Sequence, residues 1–215
     1  MKLLIFDFDG VIIDSFGILY QSALEAYPDI GSEEDFRRLH EGNIYQTVTE
    51  RENQNAITIE HPLFARYIPR MLELPPVLGM VELVRELTDI LPAIVVSSCL
   101  NDPIKVYCNK YGLAGLFREF YGADIEKSKV YKMRTALKAF GLESSEAVII
   151  TDTLGDLREA VIVGVPSIAV TWGFHTAETL RRGSPAHFAF SVEELKKILL
   201  NLATGRLPMT AAISR

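Results

Sequence analysis

The sequence predicts an α/β protein: a doubly wound, mostly parallel, Rossmann-like sheet carrying an inserted all-helical cap. Three observations predict it. Short, unalternated apolar runs recur at Leu3–Phe6, Ala93–Val96, Ala147–Ile150 and Pro166–Val170, as in strands buried on both faces of a parallel sheet. Helical patterns lie between those runs. One stretch, 15–76, breaks the alternation and shows no convincing strand.

Each element follows from its own pattern. Leu3–Phe6 is four apolar residues stopped by Asp7. Met80–Leu91 sets Val81, Val84, Leu87 and Leu91 on one stripe, and Pro103–Tyr111 does so less cleanly. Glu119–Gly122 is a weaker strand candidate. Val130–Phe140 carries Val130, Met133, Leu137 and Phe140 on one face, and Gly141 stops it. Leu154–Val163 ends at Gly164. His187–Phe190 is the last strand candidate, and Val192–Leu202 closes the fold after Ser191, a good N-cap. The core is therefore expected over 1–14 and 77–202. Residues 203–215 have no periodic apolar face and are expected to be mobile.

The insertion reads as four helices: Ile18–Ala26, Glu33–His40, Ile44–Glu52 and Leu63–Leu74. Gly31, Gly42 and Pro62 punctuate them, and Pro75-Pro76 forces an extended exit. Ala56–Ile59 is read as a loop or short strand. About sixty residues are too few for an independent fold, so the segment should pack as a cap over the sheet edge.

Composition narrows the function. The 215 residues hold 22 Lys+Arg against 28 Asp+Glu, a net charge of −6. No global basic field exists for nucleic acid or an anionic membrane. The apolar runs are too short to span a bilayer, and the N-terminus lacks a signal-peptide pattern. The two cysteines, Cys99 and Cys108, make no disulfide framework, so a reducing, cytoplasmic setting is expected.

Ligands of open parallel sheets bind beyond the carboxyl ends of the strands, so the residues that follow each strand carry the chemistry. The first strand delivers Asp7, Phe8, Asp9 and Gly10; the second ends in Ser97-Ser98. Beyond Glu119–Gly122 come Asp124, Glu126, Lys127 and Lys129. The fourth delivers Thr151-Asp152, with Asp156 four residues on. Carboxylates, hydroxyls and an ammonium on one rim suit phosphoryl transfer. A carboxylate can attack phosphorus and form an acyl phosphate. Paired Asp oxygens can hold Mg²⁺, and lysine and serine can steady the transferring oxygens. An Asp two residues from the nucleophile shares its side of an extended backbone and can serve as acid and base. Gly10 suits a positive φ or a close phosphate approach. Ser98 is a candidate to present its backbone N–H to phosphate, and His175 lies in a loop that can face the site.

Asp7-Phe8-Asp9-Gly10-Val11-Ile12-Ile13-Asp14-Ser15 resembles the first motif of the haloacid-dehalogenase-like (HAD) hydrolases, and Thr151-Asp152-Thr153-Leu154-Gly155-Asp156 resembles their last acidic motif. The resemblance spans Met1 to about Leu202. It implies Asp7 as nucleophile, Asp9 as general acid and base, and Ser97 as the phosphate grip. Mg²⁺ would then be held by Asp7, Asp152 and the Asp9 carbonyl, with Asp156 supporting the metal. Counting back from Gly141 puts Lys127 at the family's lysine position; the proline usual after that lysine is Ser128 here, and Lys129 stands as the alternative. The insertion sits where the family places a helical cap. True dehalogenases resemble the first motif but lack the second Asp, so Asp9 favours phosphate chemistry. Thr171-Trp172-Gly173-Phe174 with Glu178-Thr179-Leu180 resembles phosphoglycolate-phosphatase-like members.

The expectation is a Mg²⁺-dependent phosphatase acting on a small phosphorylated metabolite. Its rivals are a phosphomutase of the same fold and a non-catalytic regulatory member. A phosphonate-cleaving enzyme would need a cap lysine, and 15–76 contains none.

Overall fold

The computed structural model describes residues 1–44 and 58–209. Six strands form one sheet: β1 (Leu3–Phe6), β2 (Ala93–Val96), β3 (Phe117–Tyr121), β4 (Ala147–Thr151), β5 (Ser167–Val170) and β6 (His187–Ala189). Their order is β3-β2-β1-β4-β5-β6, and every neighbouring pair is parallel. The strand order reverses between β1 and β4, the switch point at which such sheets bind ligands.

All four residues of β1, β2 and β5, and all five of β4, are buried. Period-two alternation sends them to opposite cores. Leu4, Phe6, Ala93, Val95, Val148 and Ile150 pack with α4 (Met80–Thr88), α5 (Asn101–Lys110) and α9 (Val192–Ala203). Leu3, Ile5, Ile94, Val96, Ala147 and Ile149 pack with α6 (Lys129–Phe140) and α7 (Leu154–Val163). Gly141 and Gly164 end α6 and α7 at φ 64° and 81°, the left-handed turn that glycine adopts without a Cβ penalty.

Among the described residues, 15–76 carries α1 (Phe16–Ala26), α2 (Glu33–Leu39), α3 (Pro62–Met71) and no strand. The expected helix Ile44–Glu52 lies outside the described residues beyond its first position, as do the first two residues of Ala56–Ile59. Phe16, Ala23 and Phe36 make a small apolar cluster that also takes Phe174 from the core. Entry and exit of the segment are stitched together: Ile13 bridges Pro76 in antiparallel fashion, and Val77 N–H donates to Ile12 O at 2.9 Å.

The edge strands depart most from expectation. β3 runs Phe117–Tyr121 rather than Glu119–Gly122, with Arg118 and Glu119 exposed. An edge strand needs no continuous apolar run, which is why its pattern is weak. Of the 203–215 tail, residues to 209 are described, and Leu207 and Met209 lie partly buried against the core. A short helix, α8 (Ala177–Arg181), precedes β6. Among the described residues, no helix is long and apolar enough to cross a membrane. Cys99 and Cys108 are buried, unpaired thiols.

Candidate active site

Register decides which side chains meet. Phe6 lies level with Val95 on one side and Ile150 on the other. The residues that follow these three strands therefore emerge together on one rim. Asp7 N–H donates to Ile150 O at 3.0 Å, and Ser97 N–H to Tyr121 O at 3.0 Å, so backbone ladders hold both where the side chains begin to matter.

The centre is a buried ion-pair network. Lys129 Nζ lies 2.8 Å from Asp7 Oδ2 and 2.7 Å from Asp156 Oδ2. Thr151 Oγ1 donates to the same Asp156 oxygen at 2.7 Å. Local sequence sets each partner. Ser128 caps α6, accepting from Tyr131 N–H at 3.4 Å, so Lys129 is the first helical residue. Thr153 caps α7 in the same way and puts Asp156 in its first turn, where the helix dipole favours an anion.

The expectation of Lys127 as the lysine beside the nucleophile is corrected by this geometry. Lys127 precedes the cap residue; its backbone N–H donates to Glu126 and its carbonyl accepts from Asn43. The count back from Gly141 carried the family's spacing into a loop that closes two residues later. Asp156, expected to support the metal, pairs with the ammonium directly.

Asp152 is wholly buried. Its Oδ2 accepts from Phe174 N–H at 2.7 Å, whereas its Oδ1 has no hydrogen-bond partner among the described residues. Two glycines make room for it. A Cβ on Gly10 or Gly173 would overlap Asp152 Oδ2, and Gly10 also sits at φ 72°. Ser97 is wholly buried; its Oγ accepts from Cys99 N–H at 2.9 Å. Ser98 follows, half-buried.

Asp9 is held from the insertion side. Ser15 Oγ donates to its Oδ1 at 2.9 Å, and the Tyr67 hydroxyl donates to the same oxygen. Ser15 sits at the N-cap position of α1 yet makes no side-chain cap bond; its hydroxyl serves Asp9 instead.

Two participants were not legible beforehand. Lys132 is wholly buried, one turn along α6 from Lys129, and its Nζ donates to Ser97 O at 2.6 Å. Its spacing of three from Lys129 was the available signal. Tyr67 is 1 % exposed on α3 and resembled any apolar core position. His175 bridges instead of facing the carboxylates. Its Nδ1 accepts from Leu154 N–H at 2.9 Å, so the proton sits on Nε2 and is donated to Arg37 O at 2.9 Å. His40 O accepts from Gly155 N–H at 3.0 Å nearby.

Electrostatics sort the four carboxyls. Burial raises Asp7 well above its ordinary range; Lys129 opposes this, and Asp156 and Asp152 add to it. Burial also raises Asp9, against the bonds from Tyr67 and Ser15. Burial lifts Asp152 to about 7, opposed by Phe174 N–H. Burial pushes Asp156 up too, but the Lys129 charge and its hydrogen bonds overturn that and bring it down to about 2. Burial would neutralise Lys129, yet Asp156 and Asp7 hold it charged and above the ordinary lysine range. Burial and the nearby Lys129 charge take Lys132 down to about 8.

The donors suit a hard cation. Among the described residues no group of three His, Cys, Asp or Glu side chains is gathered, but the expected set needs only two carboxylates and the Asp9 carbonyl. A buried carboxylate with one orphaned oxygen, Asp152, is strongly disfavoured without a cation to meet it. Oxygen ligands of this kind fit Mg²⁺.

A pH prediction follows for the metal-free protein. The raised Asp152 keeps its proton when folded up to about 7, whereas it loses it near 3.8 when unfolded. The folded state therefore binds the extra proton, and stability falls as pH rises through that window. Chemical denaturation of the wild type relative to Asp152→Asn should show a difference that declines by up to about 1.4 kcal/mol per pH unit. Parallel curves would contradict the assignment.

Comparison with known proteins gives a consistent picture. Residues 4–170 match the family model described as haloacid dehalogenase-like hydrolase. The chain is 25% identical over 195 residues to a phosphoglycolate phosphatase of Synechococcus elongatus, covering 86% of this chain and 91% of that one. Over 86 residues, 39% of each chain, it is 29% identical to a 5'-nucleotidase of Pseudomonas aeruginosa. Its fold superposes on a protein of Clostridium acetobutylicum described as a predicted phosphatase, with TM-score 0.77 and 23% identity over 93% of this chain and 98% of that one.

Proposed function

The chain belongs to the haloacid dehalogenase-like hydrolase family, and from that premise we propose that it is a Mg²⁺-dependent phosphatase of small phosphorylated metabolites, working through an aspartyl phosphate on Asp7. The observation that carries the proposal is the buried Asp7–Lys129–Asp156 network at the switch point of the sheet. In this reading residues 15–76 form the cap that covers the site.

The roles follow from the surroundings. Lys129 opposes the rise that burial imposes on Asp7, since an ammonium at 2.8 Å favours the carboxylate that must attack. Asp156, the most acidic of the four, holds Lys129 charged and in place. The Asp7 oxygen attacks phosphorus as the ester P–O bond breaks. Asp9, whose burial favours the protonated form, gives its proton to the departing alkoxide. It then takes a proton from the water that attacks the phosphorus, and the Asp7 carboxylate returns as inorganic phosphate leaves. Ser97 positions the transferring oxygens, and the Lys132 ammonium on its carbonyl fixes that turn. Asp7, Asp152 and the Asp9 carbonyl would hold Mg²⁺, whose positive charge offsets repulsion between the phosphate dianion and the carboxylates.

A panel of phosphate monoesters with Mg²⁺ tests the proposal. Release of one inorganic phosphate for each alcohol formed is the expected result. Isomeric sugar phosphate without free phosphate would point to a mutase. Metal binding with no turnover on any ester would point to a non-catalytic member.

A further inference from the structure

We propose that Tyr67 is a positioning residue for proton transfer, which fixes Asp9 Oδ2 as the atom that protonates the leaving group. The inference rests on the phosphatase reading and extends it to a residue of α3. Tyr67 and Ser15 both donate to Oδ1 of Asp9, and among the described residues Oδ2 receives no hydrogen bond. Asp9 as a residue is half-buried, whereas its two donors are deep in the protein, Tyr67 1 % exposed and Ser15 wholly buried. One oxygen is thus anchored by two hydroxyl protons, and among the described residues the other is left to meet the substrate.

The proton must then sit on Oδ2. A carboxyl oxygen that already accepts two O–H donors has its lone pairs engaged, and a proton placed there would meet the hydrogens of both. A neutral phenol has no competing role, since it donates its single proton and stays protonated at ordinary pH. In the first step the Asp7 oxygen forms a bond to phosphorus and the ester P–O bond breaks. The alkoxide takes the Oδ2 proton, and Asp9 is left as a carboxylate whose Oδ1 both hydroxyls continue to stabilise. In the second step the same Oδ2 recovers a proton from water as that water's oxygen bonds to phosphorus and the Asp7–phosphorus bond breaks. The ester and one water become an alcohol and inorganic phosphate, with the protein unchanged.

Position makes this more than local packing. Asp9 belongs to the loop after β1, while Ser15 stands at the entrance to the insertion and Tyr67 lies on α3 near its exit. Their two hydroxyls orient the acid only when α3 is seated over that loop. Proton donation is thereby tied to the placement of the insertion.

The test is a leaving-group series measured as kcat/KM, which reads through departure of the alcohol. Nitrophenyl phosphate has a leaving group that needs no proton, and simple alkyl phosphates have one that does. Tyr67→Phe should lower kcat/KM for alkyl phosphates roughly 10- to 100-fold, the loss of one hydrogen bond to a charged group. It should leave nitrophenyl phosphate within about twofold, so that dependence on leaving-group pKa steepens. Ser15→Ala removes the other donor and should steepen it in the same sense; it decides the matter if Tyr67→Phe does not fold. An equal loss on every substrate, or no loss on any, would overturn the assignment of Tyr67. Failure of the wild type to hydrolyse any ester would instead overturn the phosphatase reading, and this inference with it.

Discussion

Replacing Lys129 by methionine is expected to destabilise the metal-free protein by roughly 3–5 kcal/mol, the cost of leaving buried charge unpaired. The ammonium is 3 % exposed and pairs with two carboxylates that are themselves nearly inaccessible. Methionine matches the stem but offers no charge, so Asp7 and Asp156 are left facing each other. They can escape only by taking up protons, which raises their folded pKa values above the unfolded ones. Stability contributed by those protons is present at low pH and is lost as pH rises through the new folded values. The deficit should therefore shrink toward acid and grow toward neutrality. Urea denaturation at several pH values measures it. Lys127→Met supplies the contrast, with an expected change within about 0.5 kcal/mol. Equal effects at the two positions would contradict the network described above.

Asp7→Asn should cost at least about a thousand-fold in turnover while sparing the fold, the scale seen when a covalent nucleophile is removed. The amide has the shape of the carboxylate but no anionic oxygen to attack phosphorus. Lys129 keeps Asp156 as its partner at 2.7 Å, so the cation is not orphaned. Burial currently raises Asp7, and a neutral amide there removes a desolvation cost. The thermal midpoint should accordingly hold or rise even as activity disappears. A variant that loses activity and stability together would place Asp7 among structural residues.

Much of this was legible in the residues because the central strands are buried on both faces. Leu3–Phe6 and Ala93–Val96 have the bounds the apolar runs suggested, and helical stripes with glycine stops located α6 and α7. Asp7 and Asp152 were visible since a charged residue directly after a buried strand must emerge at its carboxyl end. The lysine was not, because its place depends on where a loop hands over to a helix, and Ser128 rather than residue count decides that. Lys132 escaped notice because a lysine on a helix face ordinarily carries its charge out to water. Tyr67 was invisible for a different reason. Its contact joins residues 58 positions apart, and periodicity within α3 shows only that the ring points inward.

The covalent step is the claim on which the other roles depend. Mixing the Mg²⁺-loaded enzyme with a phosphate monoester, quenching in acid within a turnover and weighing the intact chain tests it most directly. The account predicts a fraction of the protein heavier by one phosphoryl group, located by fragmentation to the peptide that contains Asp7 and missing in Asp7→Asn. Steady release of inorganic phosphate with the chain unmodified at every quench time, and undiminished in Asp7→Asn, would contradict it.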